Sequence, residues 1–285
     1  MKKITLIAIV VAAALTPAYA THGILLVSDQ VDGVENPQEY DSFYINALRD
    51  AGYTYTLWDH YTQGEPGFEV LRKYKTVIWF TSTSGAAPAS DPLHGSITLT
   101  PSEQKSLVRF LSQTPGTTTL MLSGMYIAWN CVADAENERQ LYKPLFSDYL
   151  KLDYPQDNFD NWIKVDDDWV LEGEAGSPFN GQSYDVNWRH HKNWPDQLEP
   201  AAGASGAAWW RDDEGHRHHR GVLRASGAKA GGGTYKIILF SCPFENILHD
   251  GMRAEVMANF LAWAEPEGEN SVEPASLGRI KSLYR

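Results

Sequence analysis

Apolar runs alternate with helical periodicities along the first half of the chain. Residues 23–28 and 76–81 are short, almost wholly apolar runs, which are typical of strands buried on both faces of a parallel sheet. Residues 40–51 instead carry apolar side chains at helical spacing, and Gly52 ends this helix. Further strands are predicted at 53–58, 117–122 and 235–241, and helices at 68–74, 138–150 and 251–264. The alternation predicts an α/β protein with a doubly wound, mostly parallel sheet.

One further helix is marked by the residues at its start. Thr100 is followed by Pro101, a residue favoured at the first helical position, and by Glu103 three residues after the threonine. This spacing is a capping box, in which Thr100 and Glu103 each bond the other's backbone N–H. We therefore predict a helix from residue 101 to about residue 112, with Glu103 serving its first turn.

The pattern changes in the second half of the chain. Between residues 151 and 233 aliphatic periodicity fades, and Asp, Gly, Pro, Trp and His dominate. We interpret this stretch as an irregular, β-rich insertion before the last strand and helix. Residues 265–285 are polar, contain two prolines and lack periodicity, which indicates a tail outside the domain. The expected organisation is one α/β domain over residues 21–264.

The first twenty residues have a composition of their own. Lys2 and Lys3 precede an apolar run over residues 4–15, and Ala18-Tyr19-Ala20 follows, which predicts a secretory signal peptide. This run is too short to span a bilayer, and no later segment approaches twenty apolar residues. We expect a secreted, periplasmic or cell-surface protein without a membrane span. Its formal charge of -12 makes nucleic acid an unfavourable partner.

Five segments carry a resemblance to a known group: 24–29, 55–59, 77–81, 120–124 and 238–245. In this order they resemble a domain of exported bacterial proteins in the class I glutamine amidotransferase-like superfamily, over roughly residues 23–264. The resemblance implies a flavodoxin-like sheet and association with secreted peptidases or cell-surface modules. The final LGRIKSLYR, residues 277–285, is similar to short C-terminal tails of exported proteins in some bacterial lineages.

The resemblance also implies where catalysis would occur. Active members carry a nucleophilic cysteine on the turn after a central strand and a His-Pro-Glu series after a later strand. Here Met125 stands at the approximate nucleophile position, and Cys242-Pro243-Phe244-Glu245 keeps the glutamate without the histidine. A thioether cannot attack a carboxamide. We therefore expect a non-catalytic binding or accessory module, a pseudoenzyme that needs no cofactor.

The alternative is a secreted hydrolase that uses either Ser123 or a metal held by histidines of the insertion. Ser123 follows a strand, as a hydrolase nucleophile does, although the leading glycine of the G-x-S-x-G elbow is absent. Its base would be His249 or a histidine of the insertion. A hydrolase requires such a ring within hydrogen-bond reach of Ser123, whereas a binding module does not.

Acidic residues follow the first two strands. Asp29 comes after the first strand, with Asp32 and Glu35 beyond it, and Asp59 ends the second. Carboxyl ends of parallel strands meet at the edge where ligands bind, so Asp29 and Asp59 are candidate ligand-binding residues. Such carboxylates could also hold calcium or magnesium. Because the spacing of Asp29 and Asp32 matches no complete metal loop, we favour turn or capping roles.

The insertion is rich in aromatic side chains. It holds Trp162, Trp169, Trp188, Trp194, Trp209 and Trp210, and five of the nine histidines. Exposed indoles would bind a cell-surface polysaccharide, peptide or protein, whereas buried ones would form the core of the insertion. Neighbours on a strand point to opposite faces, so Trp209 or Trp210 should be exposed.

The histidines and cysteines add two weaker candidates. His216, His218 and His219 could ligate a transition metal. Nearby arginines disfavour a cation, so we favour a solvated polar strand and expect no metal. Cys131 and Cys242 are both predicted near the carboxyl edge, and in an exported protein they form a candidate disulfide.

Overall fold

The computed structural model describes most of the predicted domain. Its described residues are 23–30, 37–82, 98–125, 127–128, 144–153, 169–187 and 195–265. The predicted signal peptide and nearly all of the predicted tail lie outside these ranges. None of the helices within them is both long enough and apolar enough to cross a bilayer.

A single mixed sheet of nine strands forms the centre of the molecule. The strands are β1 (Ile24–Ser28), β2 (Tyr55–Asp59), β3 (Thr76–Ser82), β4 (Thr118–Gly124), β5 (Trp169–Gly173), β6 (Ser183–Val186), β7 (Ala204–Arg211), β8 (Arg217–Ala228) and β9 (Thr234–Phe240). Their order in space is β2-β1-β3-β4-β9-β8-β7-β5-β6. The five strands from β2 to β9 are mutually parallel, and the remaining pairings are antiparallel.

Helices cover both faces of the parallel half, which confirms the predicted doubly wound α/β class. They are α1 (Pro37–Asp50), α2 (His60–Gln63), α3 (Phe68–Leu71), α4 (Pro101–Gln113) and α5 (Asp250–Ala264). One face buries Tyr44 and Leu48 of α1 with Phe260 of α5. The other buries Leu71 of α3 with Phe110 of α4. Strands β1, β3 and β4 lie between these layers and are buried along their whole length, because both of their faces are apolar.

The start of α4 has the predicted capping box. The Thr100 hydroxyl accepts a hydrogen bond from the Glu103 N–H at 3.2 Å, and Glu103 Oε2 accepts one from the Thr100 N–H at 2.7 Å. Pro101 opens the helix. Because α4 follows β3, its first turn lies at the carboxyl edge of the sheet, and the cap fixes the Glu103 side chain there.

The insertion is β-rich, as predicted, and it extends the sheet instead of forming a separate layer. β8 pairs antiparallel with β9, and β7, β5 and β6 continue outward. The turn between β8 and β9 includes Gly233, with φ of 84°, whose α-carbon packs so close to Gly116 that a Cβ would lie 2.4 Å from its carbonyl oxygen. Backbone pairing of β8 with β9 attaches the antiparallel half to the outermost strand of the parallel half.

The predicted helix over residues 138–150 differs from the structure in the part that the structure describes. Residues 129–143, which include most of the predicted 138–150 segment, lie outside the described ranges. Leu145–Leu150 form a single π-helical turn that begins after Pro144. Proline has no N–H and disfavours a regular helical turn across it. The turn buries Leu145, Phe146 and Leu150 on the α4 side of the sheet.

Candidate functional site

The turn after β4 holds Ser123 in a buried hydrogen-bond network. The Ser123 hydroxyl donates to the Cys242 carbonyl at 3.2 Å and accepts from the Phe244 N–H at 2.8 Å. The Tyr44 hydroxyl lies 3.1 Å away on another side. Ser123 has no exposed surface, and none of the histidines that the structure describes is among these contacts. His249, one of the predicted bases, is exposed at the start of α5.

Met125 and Glu245, the two positions that the resemblance assigns to amidotransferase chemistry, are also buried. Met125 has no exposed surface and donates its N–H to the Ser82 carbonyl at 2.9 Å. Glu245, 1% exposed, accepts a hydrogen bond from the Tyr44 hydroxyl at 2.9 Å. Burial, followed by the charge of Glu245, raises the pKa of Tyr44 well above its usual range. Tyr44, Ser123 and Glu245 thus connect α1, β4 and the segment before α5.

Cys242 has a free and fully buried thiol. Cys131 lies outside the described residues, so the disulfide with Cys242 stays a prediction. The Cys242 side chain belongs to the apolar core shared with α1 and α5. Burial raises the pKa of this thiol strongly, which leaves it unreactive in the folded protein.

The two neighbouring tryptophans of β7 differ sharply in exposure. Trp210 is fully buried and packs edge-on against Trp169, with ring centroids 6.3 Å apart, so it cannot offer a stacking surface to a ligand. Trp209 is partly exposed, and the Arg220 guanidinium lies 4.2 Å from its ring centroid. Trp209 stays a candidate ligand contact, and Trp162, Trp188 and Trp194 lie outside the described residues.

The insertion histidines pair with two carboxylates, of which His216 and His218 share one. His218 Nε2 lies 2.8 Å from Asp212 Oδ2, and His216 Nδ1 lies 3.4 Å from the same oxygen. His219 Nδ1 lies 3.8 Å from Glu199 Oε1. The hydrogen bond from His218 is the main reason why the pKa of Asp212 is lowered to about 2. Each of these contacts is an ordinary surface pair on a polar strand, which is the role that the sequence favours.

The two candidate aspartates at the carboxyl edge have different roles. Asp59 caps α2, because its Oδ1 accepts from the Tyr61 N–H at 3.0 Å and its Oδ2 from the Thr62 hydroxyl at 2.9 Å. Asp29, just after β1, is 5% exposed and accepts a hydrogen bond from Trp79 Nε1 at 2.9 Å. Its other oxygen contacts His60 Nδ1. Asp32 and Glu35 lie outside the described residues.

His60 and Glu103 complete a cluster with Asp29 that the sequence reasoning missed. One potential ligand atom from each of the three side chains lies within 4.8 Å of the others. Among the described residues, no other group of three or more histidine, cysteine or carboxylate side chains converges in this way. The hydrogen bond with Asp29 raises the pKa of His60. Burial, and next the charge of Asp29, raises the pKa of Glu103.

A signal for the cluster does exist in the sequence. β1 pairs in parallel with β2 so that Ser28 lies opposite Asp59, which places Asp29 beside His60. If β1 and β2 are neighbours, the residues that directly follow them, Asp29 and His60, are predicted to be in contact. Glu103 is harder to find, since the capping box already gives it a role and only the structure places its second oxygen.

The strand order defines the class of fold. In the parallel half, β2-β1-β3-β4-β9 corresponds to the flavodoxin-like order, in which the chain reverses direction across the sheet between β1 and β3. Ligands in such sheets bind outside the carboxyl ends of the strands at this switch point. Asp29 follows β1 and is hydrogen-bonded by Trp79 of β3, so the cluster lies at this position.

Comparisons with known proteins give similarity at low identity. No protein-family model and no curated protein matches the sequence. A ThuA-like protein from Bacteroides uniformis is 10% identical, with a TM-score of 0.49 over 86% of this chain and 91% of that one. A cytoplasmic protein from Salmonella typhimurium is 12% identical, with a TM-score of 0.44 over 85% and 98%. The mmIFT52 N-terminal domain is 12% identical, with a TM-score of 0.49 over 87% and 99%. These values do not assign the chain to a family.

Proposed function

We propose that the chain is an exported binding module whose amidotransferase-like position is non-catalytic. The observation that carries this proposal is the environment of Ser123. Its hydroxyl is buried, bonded to the Cys242 carbonyl and the Phe244 N–H, and next to the hydroxyl of Tyr44. None of the described residues that contact Ser123 is a histidine that could activate it, and its burial leaves no space for a substrate carbonyl.

Export is supported by the sequence of residues 1–20, with its basic start, short apolar run and small residues at 18 and 20. The overall formal charge of -12 disfavours nucleic acid as a ligand. The partner classes that we consider are therefore polysaccharide, peptide and protein of the cell surface. Of these, polysaccharide best fits the surface described next.

Trp209 and Arg220 provide the binding surface in this proposal. The guanidinium stacks over the indole and is itself fixed by Glu199 at 3.1 Å and Glu174 at 3.5 Å. A rigid indole loses little conformational entropy on binding, and its flat apolar face suits a sugar ring. The C-terminal end of β7, which carries Trp209, points in the same direction as the carboxyl ends of the parallel strands.

The experiment is a pull-down of cell-wall polysaccharide, peptide and protein fractions with the purified protein. The test variant is Trp209→Ala, and the matched control is Trp263→Ala. Trp263 also has a cation over its ring, Lys236 Nζ at 5.3 Å, but it lies at the far end of α5. We expect the polysaccharide fraction to bind wild type and the control, and Trp209→Ala to bind more weakly by roughly 1 to 3 kcal/mol, by analogy with base stacking on aromatic side chains.

Two results would contradict this function. The first is that no fraction is retained by the wild-type protein. The second is retention that Trp209→Ala and Trp263→Ala reduce equally, because a general loss of stability would then explain the effect. Thermal unfolding of both variants separates these cases, since an intact fold is required for a binding difference to be interpreted.

A further inference from the structure

Three ligand-type side chains meet where β1, β2 and α4 come together at the carboxyl edge. Asp29 follows β1, His60 begins α2 directly after β2, and Glu103 lies in the first turn of α4. His60 Nδ1 contacts Asp29 Oδ1 and is 3.7 Å from Glu103 Oε1. Three separate elements thus direct one nitrogen and two carboxylate oxygens at the same point.

Glu103 gives a second, independent observation. Its side chain is only 1% exposed, and the capping box uses Oε2 alone. Oε1 is buried and receives no hydrogen bond from the residues that the structure describes, while it faces His60 Nδ1. Burial of a carboxylate oxygen without a donor costs free energy, and a bound cation removes that cost.

The other oxygen of each carboxylate is held in place by the surrounding structure. Trp79 Nε1 donates to Asp29 Oδ2 at 2.9 Å, and the Thr100 N–H donates to Glu103 Oε2 at 2.7 Å. Each carboxylate is therefore oriented through one oxygen and presents the other to His60. Outer hydrogen bonds of this kind orient the ligands of metal sites and tune their affinity.

The local charge also favours a cation. Asp29, Glu103 and Glu65 lie within electrostatic range of one another and of the single imidazole of His60. Glu65 is tied to this region, because its Oε1 accepts a hydrogen bond from the Thr100 hydroxyl at 3.0 Å. Three carboxyl groups therefore accompany a single imidazole in this region.

We propose that Asp29, His60 and Glu103 bind one divalent transition-metal ion of the zinc class, through Asp29 Oδ1, His60 Nδ1 and Glu103 Oε1. One imidazole nitrogen with two carboxylate oxygens suits zinc and its neighbours, whereas calcium and magnesium prefer sites made of oxygen alone. Three protein ligands leave one coordination position open. His60, whose side chain is 25% exposed, lies on the solvent side of the cluster. This proposal is independent of ligand binding by Trp209.

The experiment titrates the purified full chain with Zn²⁺ by calorimetry, after chelator treatment and removal of the chelator. We expect one ion per chain, and at least tenfold weaker binding by Glu103→Gln and by His60→Ala. Glutamine at position 103 keeps the capping box, so Glu103→Gln tests the charge without removing the helix start. Zn²⁺ should raise the melting temperature of wild type and have little effect on that of either variant.

His218→Ala is the matched control, because His218 also pairs with an aspartate but lies in the insertion. It should bind Zn²⁺ like wild type. Loss of binding in His218→Ala alone would assign the ion to the insertion histidines and overturn the proposal. Equal binding by all variants, or no saturable binding by wild type, would overturn it as well.

Discussion

The Tyr44 hydroxyl donates a hydrogen bond to Glu245 Oε2 at 2.9 Å, across 201 residues of sequence. Tyr44 belongs to α1 and Glu245 to the segment that precedes α5, so the bond joins the two helices on one face of the sheet. The Tyr44 ring stacks on Phe80 of β3, with centroids 3.9 Å apart, and this packing fixes the hydroxyl toward Glu245.

Removing that hydroxyl should destabilise the fold. Tyr44→Phe keeps the stacked ring but withdraws a donor from a carboxylate that is 1% exposed. We expect the free energy of unfolding to fall by about 1–3 kcal/mol, measured by urea denaturation. Tyr184→Phe is the control, because the Tyr184 hydroxyl only accepts a bond from Asn259, at 3.1 Å. A loss no larger than that of the control would show that the bond to Glu245 contributes little.

Gly124 is expected to tolerate no side chain. A Cβ at this position would lie 2.0 Å from Thr81 Oγ1, in a fully buried turn. Gly124→Ala should destabilise the protein by about 1–3 kcal/mol through overpacking. Gly231→Ala, where a Cβ meets nothing within 4 Å, should be nearly neutral. Adding Thr81→Ala should recover part of the loss; no recovery would mean that the clash is not with this hydroxyl.

The protein should release no ammonia from glutamine above background. Met125 cannot act as a nucleophile, and Met125→Cys should also be inactive because no base is supplied by the change. The measurement is an ammonia assay with wild type, Met125→Cys and Glu245→Gln. Turnover by wild type that Glu245→Gln abolishes would mean that the buried network around Ser123 opens to substrate.

Lys229 should make stability depend on pH in the alkaline range. Its side chain is 8% exposed and donates to the Thr114 carbonyl at 2.9 Å. Burial, and then the charge of Lys75, lowers its pKa from 10.5 to about 8. Between these two values the unfolded chain holds a proton that the folded chain has lost, so stability rises with pH.

The contribution of Lys229 is measured by difference. The stability of wild type relative to Lys229→Met should increase by up to about 3 kcal/mol between pH 8 and pH 10.5. Lys73→Met, at an exposed position, provides the reference for general effects of losing a lysine. A difference that stays constant across this range would show that the Lys229 amine is solvated in the folded protein.

The parallel half of the fold could be predicted because each element there has its own period. β1, β3 and β4 are continuous apolar runs, and the capping box at Thr100 marks α4 without any tertiary information. The insertion was recognised only as β-rich. β7 contains Gly206 and several alanines, and its pairing with β8 shifts register repeatedly, so a simple alternation of inward and outward residues is lost.

The candidate site was predicted in part for a related reason. Asp29 and Asp59 follow strands, and strand ends can be placed from sequence. The contact of Asp29 with Trp79 and His60 depends on which strands are neighbours, and the free oxygen of Glu103 depends on the rotation of its side chain. Local periodicity determines neither the order of the strands nor the rotation of a side chain. Trp209 and Trp210 were expected to separate to opposite faces, but which one is buried follows from packing against Trp169.

The position of β9 has a consequence for the order in which the chain folds. β9 lies beside β4, although the whole insertion separates them in sequence, so this central parallel pair must close a very long loop. Its other neighbour, β8, is joined to it by a short turn, and β7 precedes β8 just as closely. Loop closure favours contacts that are near in sequence. The β7-β8-β9 meander should therefore assemble early and act as a template, with β4 docking on it in a later and slower step.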